Sequence, residues 1–263
     1  MTTITETLTP RTEHGWRIGL RNLLSNEMNL RWGGRRWIRF ALIWMAILNG
    51  FTLLVSFADE QNSTSKILAE TIDVFAHVGL LATSIGAVIS TQGVIIREKQ
   101  LGTAAWVLSK PASRESFILA KWLTYSFSCV VLSLSIPAVM FFIQSQILWN
   151  QMPALIPFLK GWLIMVLQVQ FYLALALLLG TIFNTRGPVT GLSLGFLLSG
   201  LFLPNFLPQS VTLLFPWLLM DVAAAFALGN ALPAVWPIPV FATALWTLIF
   251  MALALWRFQR QEF

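Results

Sequence analysis

Residues 97–123 read Arg-Glu-Lys-Gln-Leu-Gly-Thr-Ala-Ala-Trp-Val-Leu-Ser-Lys-Pro-Ala-Ser-Arg-Glu-Ser-Phe-Ile-Leu-Ala-Lys-Trp-Leu. An apolar run, Val74–Ile96, leads into this stretch, and another, Trp122–Ile143, leaves it. Each run has the roughly 20 residues that a helix rising about 1.5 Å per residue needs to cross a bilayer core. A long charged segment between two such runs is a loop at a membrane surface. No other pair of apolar runs in the chain is joined this way.

Composition extends this reading to the whole chain. Of the 263 residues, 57% are hydrophobic and 11% charged, against about 25% charged in ordinary soluble domains. That deficit excludes a soluble globular class and predicts an all-α, polytopic integral membrane protein with one membrane domain. The net charge of +6 is no sign of nucleic acid as a partner, because its placement follows membrane orientation. Cys129 is the single cysteine, so neither an intrachain disulfide nor a cysteine metal cluster is available. The first 36 residues lack an apolar core, which predicts no cleavable signal peptide. The first span then directs insertion.

Six transmembrane helices are expected: 40–58, 74–96, 122–143, 162–183, 189–203 and 236–256. Residues 189–203 are short for a span and are expected either to extend past Leu203 or to cross a thinned region. The apolar segment Val211–Leu232 contains Pro216, Asp221, Gly229 and Asn230. A lone Asp at mid-helix costs about 2.5–3.5 kcal/mol on insertion scales. Charge counting decides against a seventh span. With six spans, fifteen of the 17 Lys and Arg fall on one side, and only Lys66 and Lys160 on the other. The positive-inside rule then predicts both termini in the cytoplasm of a cell bounded by the cytoplasmic (inner) membrane. Val211–Leu232 becomes an outer re-entrant or interfacial hairpin before the last span.

Residues 1–39 form a cytoplasmic N-terminal segment, and 40–263 the membrane domain. Trp16, Leu20, Leu23, Leu24 and Met28 share one helical face, with Arg17 and Arg21 off it. This predicts an amphipathic helix at the interface. Arg31, Arg35, Arg36 and Arg39 follow, suited to anionic headgroups of membrane lipids. A plain orientation signal reads equally well.

Few residues suggest chemistry. There is no G-x-x-x-x-G-K-[ST] loop, so no P-loop binds ATP here. Residues 191–195, Gly-Leu-Ser-Leu-Gly, match G-x-S-x-G literally, but Ser193 lies in a membrane segment rather than on a strand–turn–helix elbow. Gly187, Gly191, Gly195 and Ser199 recur every fourth residue and form a small-residue face for helix packing. Packing inside the protomer is the favoured use, with a sliding or dimer seam as the other. Pro188 fits a first helical turn. Asn49, Gln168 and Gln170 lie at mid-membrane depth, where amides line a pathway or bond to a neighbouring helix. Asp73 and His77 are four apart and can pair, although the sequence supplies no further metal ligands. Pro137 is expected to kink the third span, and Trp236 and Trp256 to anchor the last. No metal site, catalytic residue or cofactor-binding residue is proposed.

Glu98, Gly102-Thr103, Pro111, Ser113-Arg114 and Lys121 reproduce the pattern E-x-x-x-G-T…P-x-S-R…K. This resembles the permease (transmembrane) subunits of ABC-2 type ABC transporters, over about 27 residues in detail and over the whole chain in architecture. Ala112 stands where that family often has Val. The resemblance implies a transport subunit rather than an enzyme, with a second permease copy or sister permease. It also implies that ATP is bound and hydrolysed by a separate P-loop ABC ATPase. ATPase coupling then falls to Glu98, Gly102, Thr103, Trp106, Pro111, Ser113, Arg114 and Lys121. Residues 102–110 would be a short coupling helix presenting Trp106, Val107 and Leu108. Gly102 permits a turn, Pro111 ends a preceding helix, and Ser113 can cap the next one. Glu98, Arg114 and Lys121 offer charged contacts to the ATPase or to the N-terminal helix. The expected function is an exporter permease. A membrane scaffold or assembly factor without a transport cycle is the alternative, while an intramembrane enzyme has little support. The largely apolar spans mildly favour a lipidic, amphiphilic or hydrophobic cargo.

Overall fold

The computed structural model describes residues 15–58, 63–101 and 112–261. Among these residues the structure is predominantly helical, without strands. A short 3-10 turn, Gly15–Arg17, precedes α1 (Leu20–Trp32). Then come α2 (Arg36–Ala58), α3 (Thr64–Thr91) and α4 (Val94–Gln100). The next helix, α5 (Arg114–Ser128), passes through a π-helical segment, Cys129–Ser135, into α6 (Ile136–Trp149). After these, α7 (Leu155–Ile182), α8 (Arg186–Ser199), α9 (Gln209–Thr212), α10 (Leu219–Leu228) and α11 (Pro237–Gln259) complete the chain.

Five helical stretches are long and apolar enough to cross a membrane: 36–57, 64–100, 114–149, 155–182 and 237–259. Each contains or nearly contains a span predicted from sequence. The hydropathy pattern located their apolar centres, and the helices run on into flanking polar residues. The predicted fifth span is different. Its helix, α8, has 14 residues, about 21 Å by helical rise, short of the ~30 Å hydrocarbon core. The expected extension past Leu203 does not occur. Ser199 ends α8, and 3-10 geometry follows at Leu203–Asn205. Gly200 packs directly under Trp217, where an added Cβ would lie 2.2 Å from the indole.

Residues 200–228 then fold back as short turns and α10. Two carbonyls along this irregular path find indole donors. The indole of Trp217 donates to the carbonyl of Phe196 at 3.1 Å, and that of Trp246 to the carbonyl of Leu214 at 3.1 Å. Backbone away from water stays viable only when satisfied in this way. Trp246 lies roughly 14 Å along α11 from its start, so this backbone reaches well down beside the last helix. Asp221, the charge that argued against a span here, is an exposed residue in the first turn of α10. Its carboxylate pairs with Nε2 of His77 at 3.3 Å, while Asp73 flanks Nδ1 of the same ring at 3.3 Å. The predicted Asp73–His77 pair thus gains a third member from α10. Because these side chains are solvent-accessible, Asp221→Ala should cost no more than about 1 kcal/mol. Thermal unfolding in mild detergent reads this, and a much larger loss would contradict it.

The helix α7 sits at the centre, packed against α3, α10 and α11. Its most apolar window is 61% buried, against 28% for α2 and for α11, which marks those two as peripheral. Phe75 of α3, Phe141 of α6 and Phe158 of α7 stack at 5.0–6.0 Å to form one end of the core. Lipid tails are as apolar as Leu, so such contacts gain from tight packing rather than from leaving water. Close approach is clearest where Gly161 of α7 meets α10 at Ala223 and Ala227.

Pro137 acts through a change of hydrogen-bond register. Proline lacks the N–H that an α-helix requires. The chain bridges the site with the π segment, where the amide of Ile136 bonds to the carbonyl of Val131. The Ser135 hydroxyl donates to the carbonyl of Val130 at 2.9 Å, adding a side-chain partner where the ladder is loosened.

Candidate functional site: a charged junction where the helices end

The ends of α2, α4, α5, α7, α8 and α11 nearest the sequence 97–123 gather at one end of the bundle, with α1 lying against α5. At their centre is Lys121, whose side chain is 2% exposed. Its Nζ lies 2.6 Å from Oε1 of Glu27 on α1 and 3.0 Å from Oε1 of Glu98 on α4. It also lies 4.7 Å from the ring centroid of Phe117. A buried ammonium ion persists only with compensating charge, and here two carboxylates from two different helices supply it. One side chain of α5 therefore ties the N-terminal helix to the end of the second span.

Around this centre, long side chains cap helix ends. Lys99 donates to the carbonyls of Gly180 and Thr181 at 3.1 and 2.9 Å. These belong to the last turn of α7, where unpaired carbonyls attract cations. Arg114 donates through Nη1 to the carbonyls of Gln259 and Gln261, at 2.7 and 2.5 Å, and so holds the end of α11. Gln259 returns a hydrogen bond from Nε2 to Glu115 at 2.6 Å. Gln100 reaches the carbonyl of Asn184 at 3.0 Å. Ser113 caps α5 as its position suggests, its hydroxyl accepting from the amide of Ser116 at 3.0 Å. The Ser113 amide in turn donates to the carbonyl of Ile18 at 3.0 Å, linking the cap to the N-terminal segment.

The sequence-predicted set therefore divides. Glu98, Ser113, Arg114 and Lys121 meet in this junction, and of the two contacts left open for Lys121, to an ATPase or to the N-terminal helix, the one to the N-terminal helix is seen. Lys121 itself is too deeply buried to meet another chain. Gly102, Thr103, Trp106 and Pro111 lie outside the described residues, as do Val107 and Leu108. Glu27 was missed. It occupies the packed face of α1 with Leu20, Leu23, Leu24 and Met28, all half-buried. A lone acid among apolar positions of a basic segment was the available signal. The side chain of Trp16 lies outside the described residues.

Of the three amides placed at mid-membrane depth, Asn49 and Gln168 are buried and bonded across helices, while Gln170 is half-buried. Asn49 donates to the carbonyl of Pro137 at 3.3 Å, and Gln168 reaches Ser84 at 3.4 Å. The Oε1 atoms of Gln168 and Gln170 are buried without a hydrogen-bond partner among the described residues. Gly187, Gly191 and Gly195 meet nothing within 4 Å of where a Cβ would stand, and Ser199 is only half-buried. The small-residue face of α8 thus points away from the protomer, which corrects the expectation that it packs inside. Ser193, on another face of α8, is fully buried.

These features define a polytopic helical membrane protein with a charged junction at one end of its bundle. The family described as ABC-2 family transporter protein matches residues 50–263. The chain belongs to that family, and is accordingly a membrane-embedded transporter component. No curated protein matches it.

Proposed function

We propose that the chain is the permease subunit of an ATP-driven ABC exporter in the cytoplasmic membrane. In this reading α8 with its following turns serves as the fifth of six crossings, both termini are cytoplasmic, and the junction faces the cytoplasm. A separate P-loop ATPase docks on residues 102–111, and a second permease, identical or sister, completes the transporter. The observation that carries the reading is the Lys121 junction. It makes α1, α4 and α5 move together, so force applied to the segment joining α4 to α5 enters three helices at once. Arg114 extends the same connection to α11. The concentration of Lys and Arg at this end agrees with the orientation.

In such a cycle, ATP-driven closure of two ATPases displaces the loop and favours one of two membrane arrangements. The displacement does work only if the nucleotide states bind the two arrangements differently. The test is co-purification from mild detergent followed by an ATPase assay. A stoichiometric P-loop ATPase is expected with the wild-type chain. Glu98→Gln and Arg114→Ala should each reduce transport-coupled hydrolysis roughly tenfold, within the usual range of coupling free energies, while membrane insertion is retained. Normal coupling in both variants would remove the role assigned to them. Clean purification without any ATPase, repeated after crosslinking in the membrane, would favour a scaffold instead.

A further inference from the structure

Two cavities meet at the N-terminal helix. The first, about 500 Å³, opens at the junction between α1, α2, α4 and α5. Its basic lining includes Arg31, Arg36 and Arg97, beside the Lys121 cluster. The second, about 560 Å³, is an apolar crevice between α2, α3 and the start of the π segment. Ile43, Trp44, Ile47, Ile85, Ile89 and Leu132 contribute to its walls. Arg31 and Phe40 line both cavities. The guanidinium of Arg31 is fixed there, 4.3 Å from the Tyr125 ring centroid and 5.3 Å from that of Phe40.

The charge inventory leaves an anion wanting. Lys121 is matched by Glu27 and Glu98, the two acids of the first cavity. Among the described residues, Arg31, Arg36 and Arg97 enter no ion pair. With three arginines and Lys121 against two carboxylates, the cavity carries a formal excess of two positive charges. Guanidinium groups present paired donors suited to phosphate oxygens. The crevice beyond has the opposite character and opens on the lipid-facing side of α2 and α3, where Ile43 and Ile89 are exposed. A charged cavity continuous with an apolar crevice through one shared arginine has the polarity of an amphiphile.

We propose that this composite site binds an anionic phospholipid from the adjoining leaflet. Its phosphate lies among Arg31, Arg36 and Arg97, and one acyl chain lies in the crevice beside Trp44. The bound lipid cements α1 against α2 and α5. The inference rests on the membrane placement of α2 and α3 and not on a transport cycle, so it stands or falls separately from ATPase partnership.

The full chain, delipidated in an uncharged detergent, is titrated with phosphatidylglycerol or phosphatidylcholine, and bound lipid is counted by native mass spectrometry. Phosphatidylglycerol is expected to bind at least about tenfold more tightly. The Arg36→Gln/Arg97→Gln double variant, which leaves the Lys121 cluster intact, should lose that preference. Ala82→Phe, which fills the crevice, should weaken both lipids. Inorganic phosphate or glycerol phosphate alone should compete only at far higher concentration than the lipid. Equal binding of the two lipids overturns the proposal, as does a preference unchanged in the double variant. Competition by free phosphate at lipid-like concentration would reassign the site to a soluble anion.

Discussion

Replacing Lys121 by Met should cost about 3 kcal/mol of stability, the low end of the cost of removing one partner from a buried ion cluster. The low end applies because Glu27 and Glu98 retain 17% and 26% side-chain exposure and can recover some hydration. Methionine conserves much of the lysine stem, so little of the loss comes from packing. What remains is two carboxylates facing each other without their shared cation. The triple variant Lys121→Met/Glu27→Gln/Glu98→Gln removes that repulsion and should recover most of the loss, since apolar or neutral replacement of a whole buried cluster is often tolerated. Thermal unfolding of the detergent-solubilised chain, in a cycle of single and combined variants, measures the coupling. If the single and triple variants are equally unstable, the cluster's charge is not what holds α1 in place. Increased proteolysis within α1 of the single variant would identify the N-terminal helix as the part released.

A comparably large effect is expected at Gly161. A Cβ there would stand 2.5 Å from the carbonyl oxygen of Ala223 and 2.8 Å from the Cβ of Ala227. Both atoms are held by the α10 backbone, so no flexible side chain can yield. Gly161→Ala should force α10 away from α7, at about 1–3 kcal/mol for overpacking, outweighing the ~1 kcal/mol that alanine gains in helix propensity. Gly180→Ala is the matched control on the same helix. Its nearest neighbour, Ile95, would lie 3.6 Å away, an ordinary contact. That variant should be neutral or slightly more stable. If both behave alike, the close approach of α10 is not limiting.

The spans were readable because a membrane demands about 20 apolar residues regardless of which neighbours they meet. For that reason 40–58 sits within an observed helix, 36–58, and 162–183 overruns another, 155–182, by a single residue. The short α8 was misread at its far end because hydropathy continues through Leu201, Phe202 and Leu203. What stops the helix is the close packing of Trp217 over Gly200 and the turn geometry that follows. The four-residue repeat of small side chains showed that α8 has a bare face, but periodicity carries no information about which way a face points. In the junction, the pattern from Glu98 to Lys121 contains four of the residues that meet there, Glu98, Ser113, Arg114 and Lys121. It could not reveal Glu27, which lies 94 positions from Lys121 in the chain. Long-range pairs depend on how helices are laid side by side, and a single sequence does not state that. The π segment was equally hidden, because its signature is a hydrogen-bond register rather than a composition.

The bare face of α8 also makes the protein a convenient host for reporter groups. Its one native thiol, Cys129, is buried, so thiol chemistry starts against a quiet background without prior substitution. A cysteine placed at Gly187, Gly191 or Gly195 would enter open space and carry a spin label or fluorophore with little disturbance to the fold. Paired labels across two copies would then turn a row of missing side chains into a ruler for distances between neighbouring molecules.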